Sequence, residues 1–300
     1  MTLTKLCRRA LAPVLGLALL LALAPAPPAA DGVGRAVVTP GHVAAGSSGT
    51  FTLVFTADTG PLVGQAVVDV PPGWSPPQLS RPGALGYVSL ARGSCAGGTK
   101  LLRVVGRRLV ISTSCARGRQ FTITYGPANV TTLSADGYVF LTQTRPNAIV
   151  KTKVVRTVVK TKKGKRKAKT RRVRVVVKPA FRPLAPTKQP VVVVTGAPVD
   201  HLVVNAPTIA TSGTPFSITV RAEDVYGNVA CCYTGTVSFS SSDPEAFLPP
   251  PYTFTTGDLG AHTFGRVVLR TLGAQTITVS DNLGHVDASN PINVYPFPTG

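Results

Sequence analysis

Between residues 49 and 56 the chain alternates, with Phe51, Leu53 and Phe55 on one side and Thr50, Thr52, Val54 and Thr56 on the other. Phe121, Ile123 and Tyr125 alternate with Thr122 and Thr124 in the same way. A period of two with one apolar and one mostly hydroxylic face predicts half-buried antiparallel strands. Short runs cut by turn residues predict further strands over 35–38, 65–70, 101–105 and 108–113, beside 49–56 and 120–125. From residue 199 the rhythm returns, and strands are expected over 201–205, 215–222, 235–240, 252–255, 260–271 and 275–280. Seven strands fit in this second stretch, the number of a simple sandwich.

Composition supports the all-β expectation. Aromatic residues make up 6% of the 300 residues, while Val, Thr, Ser, Gly and Pro abound, a mixture that favours strands and turns over helices. The exception is the beginning. Lys5, Arg8 and Arg9 precede an apolar run from Ala10 to Ala24, followed by small residues and prolines up to Ala29-Ala30. This layout predicts a secretory signal peptide over residues 1–30. The run is interrupted by Pro13 and Gly16 and is shorter than the roughly 20 apolar residues that span a bilayer. Cys7 lies before the run, so a lipoprotein signal is not expected. About 270 residues remain, enough for two domains with cores of their own.

Export implies an oxidising compartment, in which the remaining cysteines, Cys95, Cys115, Cys231 and Cys232, can pair. Cys95 and Cys115 flank two expected strands joined at Gly106. A bridge between them closes a loop of about 20 residues and contributes roughly 3 kcal/mol by restricting the unfolded chain. Adjacent strand residues face opposite ways, so a direct Cys231–Cys232 bond demands a strained turn. A vicinal disulfide, two thiols and an intermolecular bridge giving a disulfide-linked dimer are all open for that pair.

Ser212-Gly-Thr-Pro-Phe-Ser-Ile-Thr-Val220, Ala222-Glu-Asp-Val-Tyr-Gly-Asn228, Tyr233-Thr-Gly-Thr-Val-Ser-Phe-Ser-Ser-Ser-Asp243 and Gly273-Ala-Gln-Thr-Ile-Thr-Val279 together resemble the bacterial immunoglobulin-like repeats of large secreted and surface proteins. The resemblance covers nearly all of residues 199–295. A looser resemblance to another such repeat is carried by Val43-Ala-Ala-Gly-Ser-Ser-Gly-Thr-Phe-Thr-Leu-Val-Phe-Thr-Ala57, Val70-Pro-Pro-Gly-Trp-Ser-Pro-Pro-Gln78 and Phe121-Thr-Ile-Thr-Tyr-Gly126. It implies two tandem immunoglobulin-like β-sandwich domains, residues 31–197 and 198–300, acting as spacers or adhesive modules. Such a resemblance speaks to architecture more firmly than to activity.

The resemblance also implies that the first domain ends in strands over 138–144 and 190–195. The residues between them then form an insertion, 146–187. Charge gathers there: of the net +20, residues 151–178 hold 14 Lys or Arg and no acid, whereas residues 199–300 carry 3 basic and 8 acidic side chains. One local segment therefore dominates the field that an anionic partner feels. Its Val-rich arms, with Val173, Val175 and Val177 alternating with Arg172 and Arg174, predict a long basic β-hairpin turning near Gly164. A disordered linker is the alternative. The polyanion-binding candidates are Lys160, Lys162, Lys163, Lys165, Arg166, Lys167, Lys169, Arg171, Arg172 and Arg174. No aromatic residue lies between Lys151 and Lys178, which argues against base stacking and sequence-specific nucleic-acid recognition. The same charge can also act only to keep a bare strand edge from aggregating.

Little else suggests chemistry. His42, His201, His262 and His285 are scattered without zinc-ligand spacing, and no metal or cofactor site is expected. There is no nucleophile elbow, phosphate loop or His-Glu-x-x-His. Asp224, Asp258 and Asp281 lack a repeated calcium loop and read as turn residues. An unseen constellation would have to draw on residues such as Asp69, Asp224 and His262. Trp74, in a proline-rich turn, reads as a core anchor before a sugar-stacking ring. The sequence thus points to a non-enzymatic, exported structural or adhesive protein at the cell surface, tethered to anionic envelope polymers or glycans. A soluble polyanion-binding module acting through residues 151–178 is the alternative, its ligands including acidic glycan, lipopolysaccharide, non-specific nucleic acid or anionic lipid.

Overall fold

The computed structural model describes residues 32–160 and 166–297. The expected signal peptide and the hairpin-tip candidates Lys162, Lys163 and Lys165 lie outside the described residues. The described residues form strands joined by turns, loops and short 3-10 helices, and no described helix is long and apolar enough to cross a membrane.

The first sandwich begins with β1 (Arg35–Thr39), β2 (His42–Ala44), β3 (Ser48–Thr56) and β4 (Leu62–Asp69). It continues through β5 (Val88–Ala91), β6 (Lys100–Val105), β7 (Arg108–Cys115) and β8 (Gln120–Asn129). Then come β9 (Ala135–Val139), β10 (Leu141–Pro146), β11 (Ile149–Lys160), β12 (Arg166–Val177), β13 (Arg182–Pro183) and β14 (Val191–Thr195). One layer runs β1-β3-β8-β5; the other comprises β13-β10-β4-β7-β6 and β2-β14-β9. Phe140 separates β9 from β10, so these are successive halves of one strand path. The alternating residues now have partners: Phe51, Leu53 and Phe55 of β3 and Phe121, Ile123 and Tyr125 of β8 are buried with Leu109 and Ile111 of β7 in a single core.

The second sandwich is built from β15 (His201–Asn205), β16 (Ile209–Thr211), β17 (Phe216–Glu223), β18 (Thr236–Ser241) and β19 (Tyr252–Thr253). It is completed by β20 (Ala261–Val267), β21 (Gly273–Gln275), β22 (Ile277–Asp281), β23 (Val286–Ala288) and β24 (Ile292–Tyr295). Its sheets run β15-β17-β20, β16-β24-β21 and β19-β18-β22-β23 around a core of its own. The fold is therefore all-β, two tandem immunoglobulin-like sandwiches with a basic hairpin in the first.

The two sandwiches share one wiring plan. In each, a short early strand pairs in parallel with the last strand, β2 with β14 and β16 with β24. The last strand pairs antiparallel with the first half of a broken strand, β9 or β21. The second half of that broken strand, β10 or β22, lies between a central strand and a short return strand, β13 or β23. This correspondence locates the insertion physically. Residues 281–285 turn the chain between the paired Ser280 and Val286, and residues 145–181 stand at the same place between the paired Thr144 and Arg182.

Two details differ from the sequence reading. The expected strand 260–271 ends at Val267, because the register against β17 shifts between Phe216 and Ile218 and Arg266 takes a left-handed φ of 61°. One strand then carries an extra residue, and the bulge bends the chain out of the ladder. The short pairings β2, β13, β16 and β23 fall below the length at which alternation is visible, and only their long-range partners define them.

Trp74 is a core residue. It is 2% exposed, edge-on to Phe51 at 4.8 Å and to Phe140 at 5.3 Å between ring centroids. The proline-rich loop around it is pinned by Arg107, whose Nε donates to the Val70 carbonyl at 2.9 Å and whose Nη2 donates to the Trp74 carbonyl at 2.8 Å and also to that of Pro71. The buried Tyr125 hydroxyl donates to the Ser75 carbonyl. Burial pushes that phenol far above its usual range, and the nearby Arg107 charge offsets only part of the effect.

Candidate polyanion-binding hairpin

The insertion forms a two-stranded ribbon in which β11 and β12 pair over their whole described length, from Ile149 opposite Val177 to Lys160 opposite Arg166. β-Branched residues at nearly every second position fit a pleated ladder and fit a helix poorly. Among the described residues the ribbon pairs with no strand of either sandwich. Its valines stay in the open as a result: Val150, Val154 and Val176 are 59%, 58% and 61% exposed. Apolar surface of that kind on an isolated ribbon is a hazard for edge pairing, and the surrounding cations oppose it.

The neck of the ribbon is fixed to the body. Arg145, one residue before the end of β10, donates to Gln65 Oε1 from Nε at 3.1 Å and from Nη2 at 2.5 Å. Its guanidinium lies 4.2 Å from the centre of the Phe181 ring, a cation–π contact. Asn147 N donates to the Val63 carbonyl at 2.9 Å. Gly64 permits this approach, since a Cβ there would strike the backbone of Arg145 and Asn147. A small cavity of about 140 Å³ at the neck is lined by Gln65, Arg145, Asn147 and Lys178 among others.

Of the sequence candidates, Arg171, Arg172 and Arg174 lie on β12 and are exposed. Lys160, Arg166, Lys167 and Lys169 are placed by backbone register. Lys151, Lys153 and Arg156, counted in the basic segment but not among the named candidates, are also exposed, on β11; their place in a Val- and Thr-rich arm was the available signal. The ribbon holds no acid, so its charge is not neutralised locally.

The other candidates are accounted for elsewhere. Cys95 and Cys115 form a disulfide, with Cα atoms 4.5 Å apart. The sulfurs of Cys231 and Cys232 are 3.5 Å apart, a hydrogen-bonding and not a disulfide distance. Cys232 borders a cleft of about 380 Å³ beside the inter-domain linker 196–199. Asp69 pairs with Arg108 through two bonds of 2.6 and 2.7 Å, and Asp224 lies at the junction of the domains, so neither meets His262.

His262 and His285 each sit four residues after an aspartate that they touch through Nδ1, Asp258 at 2.7 Å and Asp281 at 2.8 Å. Each aspartate also accepts a tyrosine hydroxyl, from Tyr252 and Tyr233 respectively. Burial alone would raise the Asp258 carboxyl, but donation from Thr255, His262 and Tyr252 outweighs it and holds the group down to about 2. Asp281 is lowered for the same reason by His285, Tyr233 and Leu283. Their oxygens are occupied by donors that close loops, and no group of three metal-ligating side chains occurs among the described residues.

The chain matches no protein-family model and no curated protein sequence. Among solved structures, it is similar to an ICAM-5 D1–D4 ectodomain fragment, with 12% identity over 88% of this chain and 78% of that one and a TM-score of 0.23. It is also similar to the type II cohesin dyad from the adaptor ScaA scaffoldin of Acetivibrio cellulolyticus, with 9% identity over 88% and 96% and a TM-score of 0.25. A superoxide reductase (neelaredoxin) from Ignicoccus hospitalis, in two structures, matches 32–33% of this chain and 82–83% of its own, at 16–17% identity and a TM-score of 0.22. At such scores the fold rests on the strand pairing described above, and function rests on the site.

Proposed function

We propose that the protein is an exported, non-catalytic structural or adhesive module of the cell surface that associates with anionic envelope polymers through the hairpin. The observation that carries this reading is the position of the charge. A ribbon of 12 paired positions projects where the second sandwich has only a tight turn, and residues 151–178 of this insertion concentrate 14 cations without an acid. A density of this kind exceeds what edge protection requires, and it favours any chain of phosphate or carboxylate groups by counterion release. The sandwiches act as rigid spacers that present the ribbon to the polymer.

The test uses a shortened variant in which residues 148–180 are replaced by a single Gly, giving a connection as long as residues 281–285. Both sandwiches keep their strands in this variant. The intact protein should sediment with anionic envelope preparations at low salt and be released by about 0.5 M salt, where screening reaches within a few ångströms. The shortened variant should stay in solution at all salt concentrations. Equal binding by the two proteins, or binding that survives the high salt, would sink the proposal.

A further inference from the structure

The register of the hairpin sorts its two kinds of cation. Directly opposed residues of an antiparallel pair share a face, so Thr152–Arg174, Val154–Arg172 and Arg156–Thr170 lie on one side of the ribbon. Lys151–Val175, Lys153–Val173 and Val155–Arg171 lie on the other. Among the cations of the paired strands whose side chains are described, one face therefore carries Arg156, Arg172 and Arg174, and the other carries two lysines with a single arginine. All six cations are exposed.

Attraction to bulk charge gives no reason for this sorting, since lysine and arginine carry the same charge. Geometry does. Guanidinium is a planar fork that grips an oxyanion with two parallel bonds, whereas ammonium acts as a point charge. Arg172 and Arg174 stand two residues apart on β12, about 6.6 Å along the strand. Arg156 is the diagonal neighbour of Arg172 across the ladder, at about 7–8 Å. The reach of the three side chains lets them converge on the same or adjacent groups, with the hydroxyls of Thr152 and Thr170 on the same face. A carboxylate presents two oxygens, which one fork can occupy. Each phosphate within a polymer chain exposes two non-bridging oxygens, and neighbouring phosphates of such a chain stand close enough together to engage the three forks at once.

We infer that the face formed by Arg156, Arg172 and Arg174 is a site for closely spaced phosphate groups on an anionic polymer. The opposite, lysine-bearing face follows charge alone. This inference rests on the polyanion reading proposed above and adds to it a ligand chemistry and a side of the ribbon.

The charge-conserving triple variant Arg156→Lys, Arg172→Lys and Arg174→Lys tests it in the full chain, with Lys151→Arg plus Lys153→Arg as the control. Inorganic polyphosphate and poly-glutamate of matched charge serve as probes at about 0.15 M salt, and far-UV circular dichroism checks that the strands persist. The triple variant should lose roughly tenfold or more of its polyphosphate affinity and little of its poly-glutamate affinity, and the control should leave polyphosphate binding undiminished. Loss of neither affinity, or equal loss of both, overturns the phosphate site while leaving the polyanion reading standing. If the unmodified protein binds neither polymer, both fail together.

Discussion

Asn228 of the second sandwich donates from Nδ2 to the Thr132 carbonyl of the first at 2.7 Å. Its Oδ1 accepts from Ser134 N at 2.9 Å, so one side-chain amide bonds both ways across the junction. The same Nδ2 lies 2.9 Å from Asp224 Oδ2, which also accepts from Ala197 N of the linker at 2.7 Å. Gly46 of the first sandwich, at a φ of 67°, leaves room for the ring of Tyr226 from the same loop. The inter-domain angle is thus set by a loop of the second domain.

Replacing Asn228 by Ala removes two inter-domain hydrogen bonds of about 1 kcal/mol each without touching either core. The expected result is a broader distribution of inter-domain distances in small-angle scattering and faster proteolysis within 196–199, with unchanged circular dichroism. An unchanged scattering curve would show that the junction is held by other contacts.

Asp224 is fully buried and accepts from Tyr226 N and Asn228 N at 2.9 Å, beside the linker amide. Burial opposes its charge, but these donors more than compensate and lower its pKa. Asp224→Ala strands several backbone donors and should cost the second sandwich about 3 kcal/mol or more; Asp224→Asn, which keeps an acceptor, should cost less. Denaturant titration of the two variants would reveal the order, and equal losses would contradict it.

Acid should weaken the second sandwich. Asp224, Asp243, Asp258 and Asp281 all have folded-state pKa values below the unfolded value of about 3.8. Their contribution is complete above about pH 4 and disappears as the pH falls through the folded values, to about 2 for Asp258. Urea midpoints of this domain, measured from pH 6 to pH 2, should fall mainly within that last interval. A midpoint that stays constant down to pH 2 would refute the assignment.

Trp74 is the single tryptophan and sits in the first core, so its fluorescence reports the unfolding of that sandwich. Removing the nearby cross-link with Cys95→Ala plus Cys115→Ala opens a loop of sequence separation 20. The fluorescence-detected transition should lose roughly 3 kcal/mol, with the second sandwich's transition in circular dichroism unmoved. Coincident shifts of both would mean that the domains unfold as one unit.

The alternation at residues 51–55 and 121–125 was enough to specify strands, because side-chain direction along a strand has a period of two whatever the partner. The Cys95–Cys115 bridge, the core role of Trp74 and a strand-forming basic arm were also legible, each depending on residues close together in the chain or on burial of a large ring. By contrast, the strand expected over 260–271 was interrupted, since a bulge is decided by register against β17.

The sequence by itself determined the β character, the location of the charge and its arrangement on two Val-rich arms. The tertiary structure alone decided that the arms replace a turn present in the second sandwich, that arginines gather on one face of the ribbon, and that Asn228 and Asp224 join the domains. Those features depend on which residue stands opposite which across 14 to 96 positions of chain, and local alternation is the same in every register.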